Sequence, residues 1–242
     1  MDILINGIEM GKAIGIPWLD EYFRLKENNF SVFLGHDNVG KSTLVWWLCA
    51  VAAAKHGWKW IIYSPENDIA KIKIKLMDFI LGRSAKEASQ AQLDIAKKFV
   101  NEHFYFIRKD KVYSVFDLVK FGEILCQQAR AISEIRIFSE KFCTVYVNAH
   151  SITEARRLKI DDSGNIPRPY KSHIDGGAIW ANRADDFYVI HRQVKNPEEF
   201  MFTELHVDKI KDNDTGGNLT RGDDEAVKLQ FWNGSDFVEQ VR

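Results

Sequence analysis

Cysteine is scarce. Cys49, Cys126 and Cys143 all sit in apolar surroundings, without the spacing of metal ligands, which argues against a disulfide scaffold or a zinc module. They read as core thiols of a protein from a reducing compartment. Excess charge is also lacking. Lysine plus arginine nearly balance aspartate plus glutamate, for a net charge of −1, so no global basic field attracts nucleic acid and any such contact must come from a local patch. No apolar run is long enough for a membrane span. The opening MDILINGIEMGK has neither the basic start nor the apolar core of a signal peptide, and the expected place is the cytosol. No internal repeat or low-complexity block interrupts the chain. What remains is an ordinary globular balance, 45% hydrophobic and 28% charged over 242 residues, enough for one large domain or two small ones.

Strand and helix alternate through the first half. Residues 1–29 read as an N-terminal segment with a short helix near 18–23, and 30–242 as the core. Residues 30–34 are short and apolar, as a buried strand is, and residues 43–54 after them are long enough for a buried helix. A second strand over 58–64 ends in Pro65-Glu66-Asn67. Residues 68–81 alternate Lys with Ile, Leu and Met at helical spacing, and 84–101 form another helix. Further strands are predicted over 103–107, 144–149, 184–191, 203–210 and 227–231, with Asp236-Phe237-Val238 after the last. Asp117 suits a helix N-cap, and 118–142 suits helix almost without a break. Polar, glycine-containing loops fall at 152–175 and 212–224. Early alternation and late strands predict an α/β core with an antiparallel edge.

The loop between the first strand and the first long helix reads Gly35-His36-Asp37-Asn38-Val39-Gly40-Lys41-Ser42, a complete G-x-x-x-x-G-K-[ST] motif. Two glycines let the backbone curl so that successive N–H groups point into one cup. Lys41 supplies a point charge for the β- and γ-phosphates of ATP, and the Ser42 hydroxyl suits Mg²⁺. Strand, glycine loop and helix are the setting the motif requires, and the helix N-terminus adds affinity for anions. Residues Gly35 to Thr43 are therefore the expected nucleotide contacts. A hydrolysing site needs a group to orient the attacking water. Glu66 stands at the carboxyl end of the next strand, where ligands lie in open parallel sheets. His150 ends the 144–149 strand, a second polar candidate at a strand end. Both also fit blander roles, a solvated glutamate and a structural histidine.

Taken in order, these segments resemble the RecA-like core of the DnaB and Twinkle-type replicative helicases, over most of the chain from about Gly15. GIPWLDEYF resembles the segment leading into the family's P-loop, and IIYSPEN its second strand, which ends in glutamate. TVYVNAHS is similar to the sensor strand ending in Gln or His, and GGAIWANRADDFYVIHR to the following helix and strand. ELHVDKIKDNDTGG resembles the strand and loop that carry a basic pair into the neighbouring subunit's site. The resemblance implies a twisted, mainly parallel sheet flanked by helices, with antiparallel edge strands. It implies a motor that uses ATP and Mg²⁺ at interfaces between identical subunits, assembled as a hexameric ring, and translocating on single-stranded DNA. Primase or a helicase loader would be partners, in the cytosol of a bacterium or a phage-infected host. It assigns catalytic parts to Lys41, Glu66, His150, Lys209 and Lys211. The family has Lys then Arg at the last two positions. Lys211 lacks the planar fork of Arg, so weaker transition-state stabilisation is expected. The solubilising charge of an edge strand is the alternative for these lysines. Arg156, Arg157, Lys159, Arg168 and Lys171, in the loop after the sensor strand, are either DNA contacts or a solvated face.

One part is lacking. The family needs an apolar strand ending in Asp, the Walker B half of the Mg²⁺ site, between the 103–107 and 144–149 strands. Only helical pattern runs from Leu118 to Phe142. KVYSVFD offers Asp117, which reads as a cap and comes too early. A natural variant without hydrolysis, a chain with a segment removed and a strand hidden in a helical pattern all remain open. Beside the motor stand two rivals: a recombinase-like or regulatory DNA-dependent ATPase, and an ATP-binding subunit without catalysis.

Overall fold

The computed structural model describes residues 9–108, 113–114, 117–120, 139, 143–152, 160, 164–174, 178–222 and 225–239. In chain order the described elements are α1 (Pro17–Tyr22), β1 (Phe30–Gly35), α2 (Lys41–His56), β2 (Trp60–Ile62), α3 (Ile69–Leu81), α4 (Gln90–His103), β3 (Phe104–Phe106), β4 (Val145–His150), α5 (Ala178–Arg183), β5 (Asp186–His191), β6 (Phe202–Ile210), β7 (Val227–Trp232) and β8 (Asp236–Glu239). Among these residues no helix is long and apolar enough to cross a membrane.

Pairing sorts the strands into two sheets, one of six strands in the order β4-β1-β5-β6-β7-β8 and one formed by β2 and β3. β1 runs parallel to β4 on one side and to β5 on the other, with Phe30 opposite Val145 and Gly35 opposite His150. All six of its residues are buried. A continuous apolar run without alternation is what a parallel strand covered on both faces requires. β5–β6 and β6–β7 are antiparallel, the mixed arrangement that the late strands predict. β2 and β3 pair for only three residues, Trp60 with Phe104 through Ile62 with Phe106, so the second strand is shorter than its apolar stretch.

The chain packs as two units. The first comprises Met1–Thr43, Ser139–Gln230 and Val238–Arg242. Its core is aromatic. The ring of Phe33 stacks on Tyr188 at 5.0 Å and meets Tyr146 edge-on at 5.2 Å, while Phe23 lies 5.1 Å from Tyr188. Leu19, Phe23 and Leu25 are fully buried, so the N-terminal segment belongs to this core. Its backbone is fixed by the Asp20 carboxylate, which accepts from the N–H groups of Ile14 and Gly15 at 2.6 and 2.8 Å. Lys26 Nζ lies 3.0 Å from Asp186 Oδ2 with both side chains buried, an ion contact without hydrogen-bond angles. Asn29 Nδ2 and the Tyr188 hydroxyl donate to the same carboxylate at 2.9 and 3.2 Å. Burial, then the charge of Asp186, pushes the Tyr188 pKa well above the usual phenol value, which keeps the hydroxyl a donor.

The second unit comprises Leu44–Phe138 and Phe231–Phe237. Asp68 caps α3 by accepting from Ala70 N–H, and Gly82 ends it in the left-handed conformation at φ 64°. The helix expected over 84–101 is instead a 3₁₀ turn at Ala85–Glu87 and then α4, because Ser89 and Gln92 form a capping box in between. Trp47 packs against Phe237 at 5.2 Å, and its indole N–H donates to Asp236 at 2.8 Å. Lys75 Nζ sits 4.5 Å above the Phe231 ring and donates to the carbonyl of Gly234. Partial burial lowers its pKa, with Asp78 opposing. Cys49 is buried on α2, and burial raises its thiol pKa far above the usual value, as suits an inert core residue.

Asp117 requires a correction. It is not the N-cap. Ser114 caps, its hydroxyl accepting from Asp117 N–H at 3.1 Å, while the Asp117 carboxylate accepts from Ser114 N–H at 3.0 Å and from its hydroxyl at 2.8 Å. Ser114 and Asp117 have the capping-box spacing of three, and a carboxylate serves at the third position. Beyond 118–120 and 139, the predicted helix of 118–142 lies outside the described residues, as does Cys126.

The buried Lys26–Asp186 contact yields a stability prediction. Lys26→Met leaves a buried carboxylate without its cation and lowers unfolding stability by about 3 kcal/mol, read from urea denaturation. A loss below about 1 kcal/mol would show that the hydrogen bonds from Asn29, Tyr188 and the Lys211 N–H satisfy Asp186 without the cation.

Candidate functional site

β1 delivers its last residue, Gly35, to the carboxyl edge of the six-stranded sheet. A Cβ at this position would run into the carbonyl of Ile190 on β5 and press on Lys41 Cδ and Cγ at 3.1 and 3.2 Å. Close backbone approach, not an unusual φ, makes glycine necessary here. The loop then curls through Asn38 at φ 62° and Gly40 at φ 91°, left-handed values that suit these two residue types. α2 begins at Lys41 with no acidic side chain in its first turn, so its own sequence does not offset the positive end of its dipole. The Lys41 ammonium is buried and donates back across the loop to the carbonyls of Gly35 and His36, at 3.0 and 2.9 Å. Ser42 and Thr43 follow, half-buried, on the first turn. Curled amides, a helix start without an acidic side chain in its first turn and a lysine across the mouth fit a phosphate chain. The Ser42 hydroxyl is the group on this loop suited to Mg²⁺.

Two side chains of the loop reach the end of β4. Asp37 Oδ1 lies 2.8 Å from His150 Nδ1, both half-exposed; an ionised carboxylate only accepts, so that nitrogen carries the proton. His36 is buried. Its Nε2 lies 3.0 Å from the carbonyl of Pro167 and its Nδ1 2.8 Å from the Ser151 hydroxyl. Sequence reading finds His150 but misses Ser151 and Pro167. The parallel register of Gly35 with His150 is the signal that brings Ser151 near. No local pattern marks Pro167.

Beside Pro167 a cleft of about 330 Å³ opens over the sheet, lined among others by Asn165, His191, Glu204, His206 and Lys228. Burial pushes the Glu204 pKa up, but hydrogen bonds with His206 and Gln193 and the nearby imidazoles outweigh it and hold the carboxyl below its usual range.

The remaining candidates fall elsewhere. Lys209 Nζ donates to the carbonyls of Ala181 and Ala184 at the end of α5, at 2.9 and 2.6 Å. Lys211, just past β6, pairs with buried Asp185 at 2.9 Å. Arg168 pairs with Asp208 at 2.9 Å, and Lys171 donates to the Asp208 carbonyl at 3.0 Å. Glu66 is exposed in the bend after β2, in the second unit. Arg156, Arg157 and Lys159 lie outside the described residues.

No family model matches the sequence. A Twinkle homolog protein, chloroplastic/mitochondrial, of Arabidopsis thaliana is 26% identical over 255 aligned positions, which cover 87% of this chain and 35% of the relative. The chain thus spans about a third of that protein. Among solved structures, the ATPase domain of G40P superposes with a TM-score of 0.73 at 14% identity, covering 98% of this chain and 93% of that one. A DnaB-like replicative helicase, described with its interactions with primase, gives 0.73 at 15% identity, covering 99% and 64%. A KaiC-like protein of Pyrococcus horikoshii OT3 gives 0.61 at 13%, covering 97% and 100%. A strand ending in a phosphate-loop motif, parallel neighbours on both sides, antiparallel strands beyond and these superpositions lead to one conclusion: the chain has the RecA-like P-loop ATPase fold, in the form found in DnaB-like helicase ATPase domains.

Proposed function

We propose that the chain is the ATP-hydrolysing motor core of a replicative DNA helicase of the DnaB and Twinkle type. The observation that carries this reading is the P-loop at the end of β1, with Lys41 across its mouth and the β4 terminus held against Asp37. In this reading Gly35 to Thr43 hold the nucleotide phosphates, and Ser42 holds Mg²⁺. When bound, the metal neutralises charge developing on the transferred phosphoryl group. Glu66 orients the attacking water, and His150 responds to the γ-phosphate. Lys209 and Lys211 serve a neighbouring subunit's site, which requires them to leave the carbonyls of α5 and Asp185. Subunits form a ring on single-stranded DNA, contacted by Arg156, Arg157 and Lys159, and by Arg168 and Lys171 if released from Asp208. Primase or a loader completes the assembly.

One observation favours a second reading, an ATP-binding subunit without turnover. The Asp117 carboxylate is occupied by the Ser114 backbone and hydroxyl, and so is a poor substitute for a metal-site aspartate.

Two variants test the proposal. Lys41→Ala removes the ammonium aimed at the β- and γ-phosphates and abolishes ATP binding measured by calorimetry; equal affinity in both proteins would sink the phosphate-cup reading. Glu66→Gln keeps ATP binding but lowers phosphate release by about 10²-fold, as loss of a general base does. An unchanged rate would leave Glu66 without a catalytic part.

A further inference from the structure

We infer that His36 is a positioning residue that transmits phosphate occupancy of the P-loop to the backbone of residues 164–171. The inference rests on the proposal that the P-loop binds nucleotide, and concerns this chain's own route from that loop.

The neighbours of His36 show how unusual its side chain is. Asp37 and Asn38 are exposed at the loop tip, whereas the His36 ring is 7% exposed and turned inward. A carbonyl only accepts, so Nε2 carries the proton and donates to Pro167. The second nitrogen meets the Ser151 hydroxyl, and the ring stands edge-on to that of His191 at 6.5 Å. One imidazole therefore joins the P-loop, the end of β4 and the 164–171 segment.

The main chain of the same residue belongs to the phosphate cup. Its carbonyl accepts from the Lys41 ammonium, the charge that a phosphate in the cup would draw on. Phosphate contacts with the loop amides then share one rigid ligand, and the φ and ψ of His36 are fixed with them. A fixed backbone fixes the imidazole, and through it the Pro167 carbonyl. The far side of the segment is already tethered. Asn165 Oδ1 accepts from Lys195 N–H at 2.8 Å, and Arg168 and Lys171 rest on Asp208. Tightening the His36 side thus restrains a segment held at both flanks. That segment carries Arg168 and Lys171, so phosphate state gains a path to the loop proposed to meet DNA.

Hydrogen exchange over 160–174 is the test, run with and without a Mg²⁺–ATP analogue at a concentration that calorimetry shows to saturate each protein. In the natural chain the nucleotide slows exchange of the 164–171 amides by about fivefold or more, the lower end of typical site-to-site coupling. His36→Phe keeps ring volume without either nitrogen and abolishes the slowing; His36→Gln restores an N–H donor and recovers it. Exchange of the β1 and β5 amides in the same run reports whether each variant is folded. If the Phe variant is not, Ser151→Ala, which removes the hydroxyl on Nδ1, takes its place and reduces the slowing by about half or more. Full slowing in a folded His36→Phe protein, or in Ser151→Ala when that is the variant read, overturns the inference. So does an unresponsive segment in a natural chain that binds nucleotide. Absence of any binding heat in the natural chain defeats the nucleotide reading itself, and the coupling with it.

Discussion

The carbonyl of Ile190 stands where a side chain at position 35 would have to be, and the candidate site depends on that close approach. β1 can lie tight against β5 only because Gly35 has no Cβ. With that contact made, the chain leaves the sheet at a fixed point and curls through Asn38 and Gly40. α2 then starts with its positive end and Lys41 facing back toward the strand. β4 on the other side of β1 comes into register so that His150 sits opposite Gly35. The catalytic candidates of the first unit are thus consequences of strand pairing more than of the loop sequence itself.

How far this was legible in the sequence depends on how local the determinant is. The P-loop is an eight-residue pattern with a steric reason at each fixed position, and it stands out without any knowledge of the fold. The apolar run of β1 and the Phe187–Ile190 stretch of β5 are local in the same way. α3 announces itself by periodicity, with Asp68 and Gly82 at its ends. Determinants that join distant segments were not visible. His36 reads as a variable loop residue until Pro167, more than a hundred positions away, is seen against it. Lys209 reads as a strand-end charge until the end of α5 supplies it with carbonyls. Asp117 offers the stronger single-residue cap signal, while the capping box with Ser114 is a property of the pair.

The division of the strands into two sheets bears on the acidic strand that the resemblance calls for. β4 ends the order of the larger sheet and is half-exposed along its length, unlike fully buried β1. β2 and β3 pair only with each other among the described residues. In sequence, that strand belongs between β3 and β4, and residues 121–138 there are outside the described part. In the proposed reading, nucleotide binding needs no element between β3 and β4, since the cup is built from β1, its loop and α2. Turnover does depend on it, because hydrolysis asks for a metal held from two sides and a water held by a carboxylate.

The most direct measurement of the central claim is phosphate release from ATP by the purified chain, with and without single-stranded DNA, on protein of verified intact mass. The account predicts turnover that rises when single-stranded DNA is added, because a motor of this fold couples hydrolysis to its track. ATP binding accompanied by hydrolysis that ignores DNA, or by none at all, would contradict the motor reading, the first leaving an ATPase of another kind and the second an ATP-binding subunit without turnover.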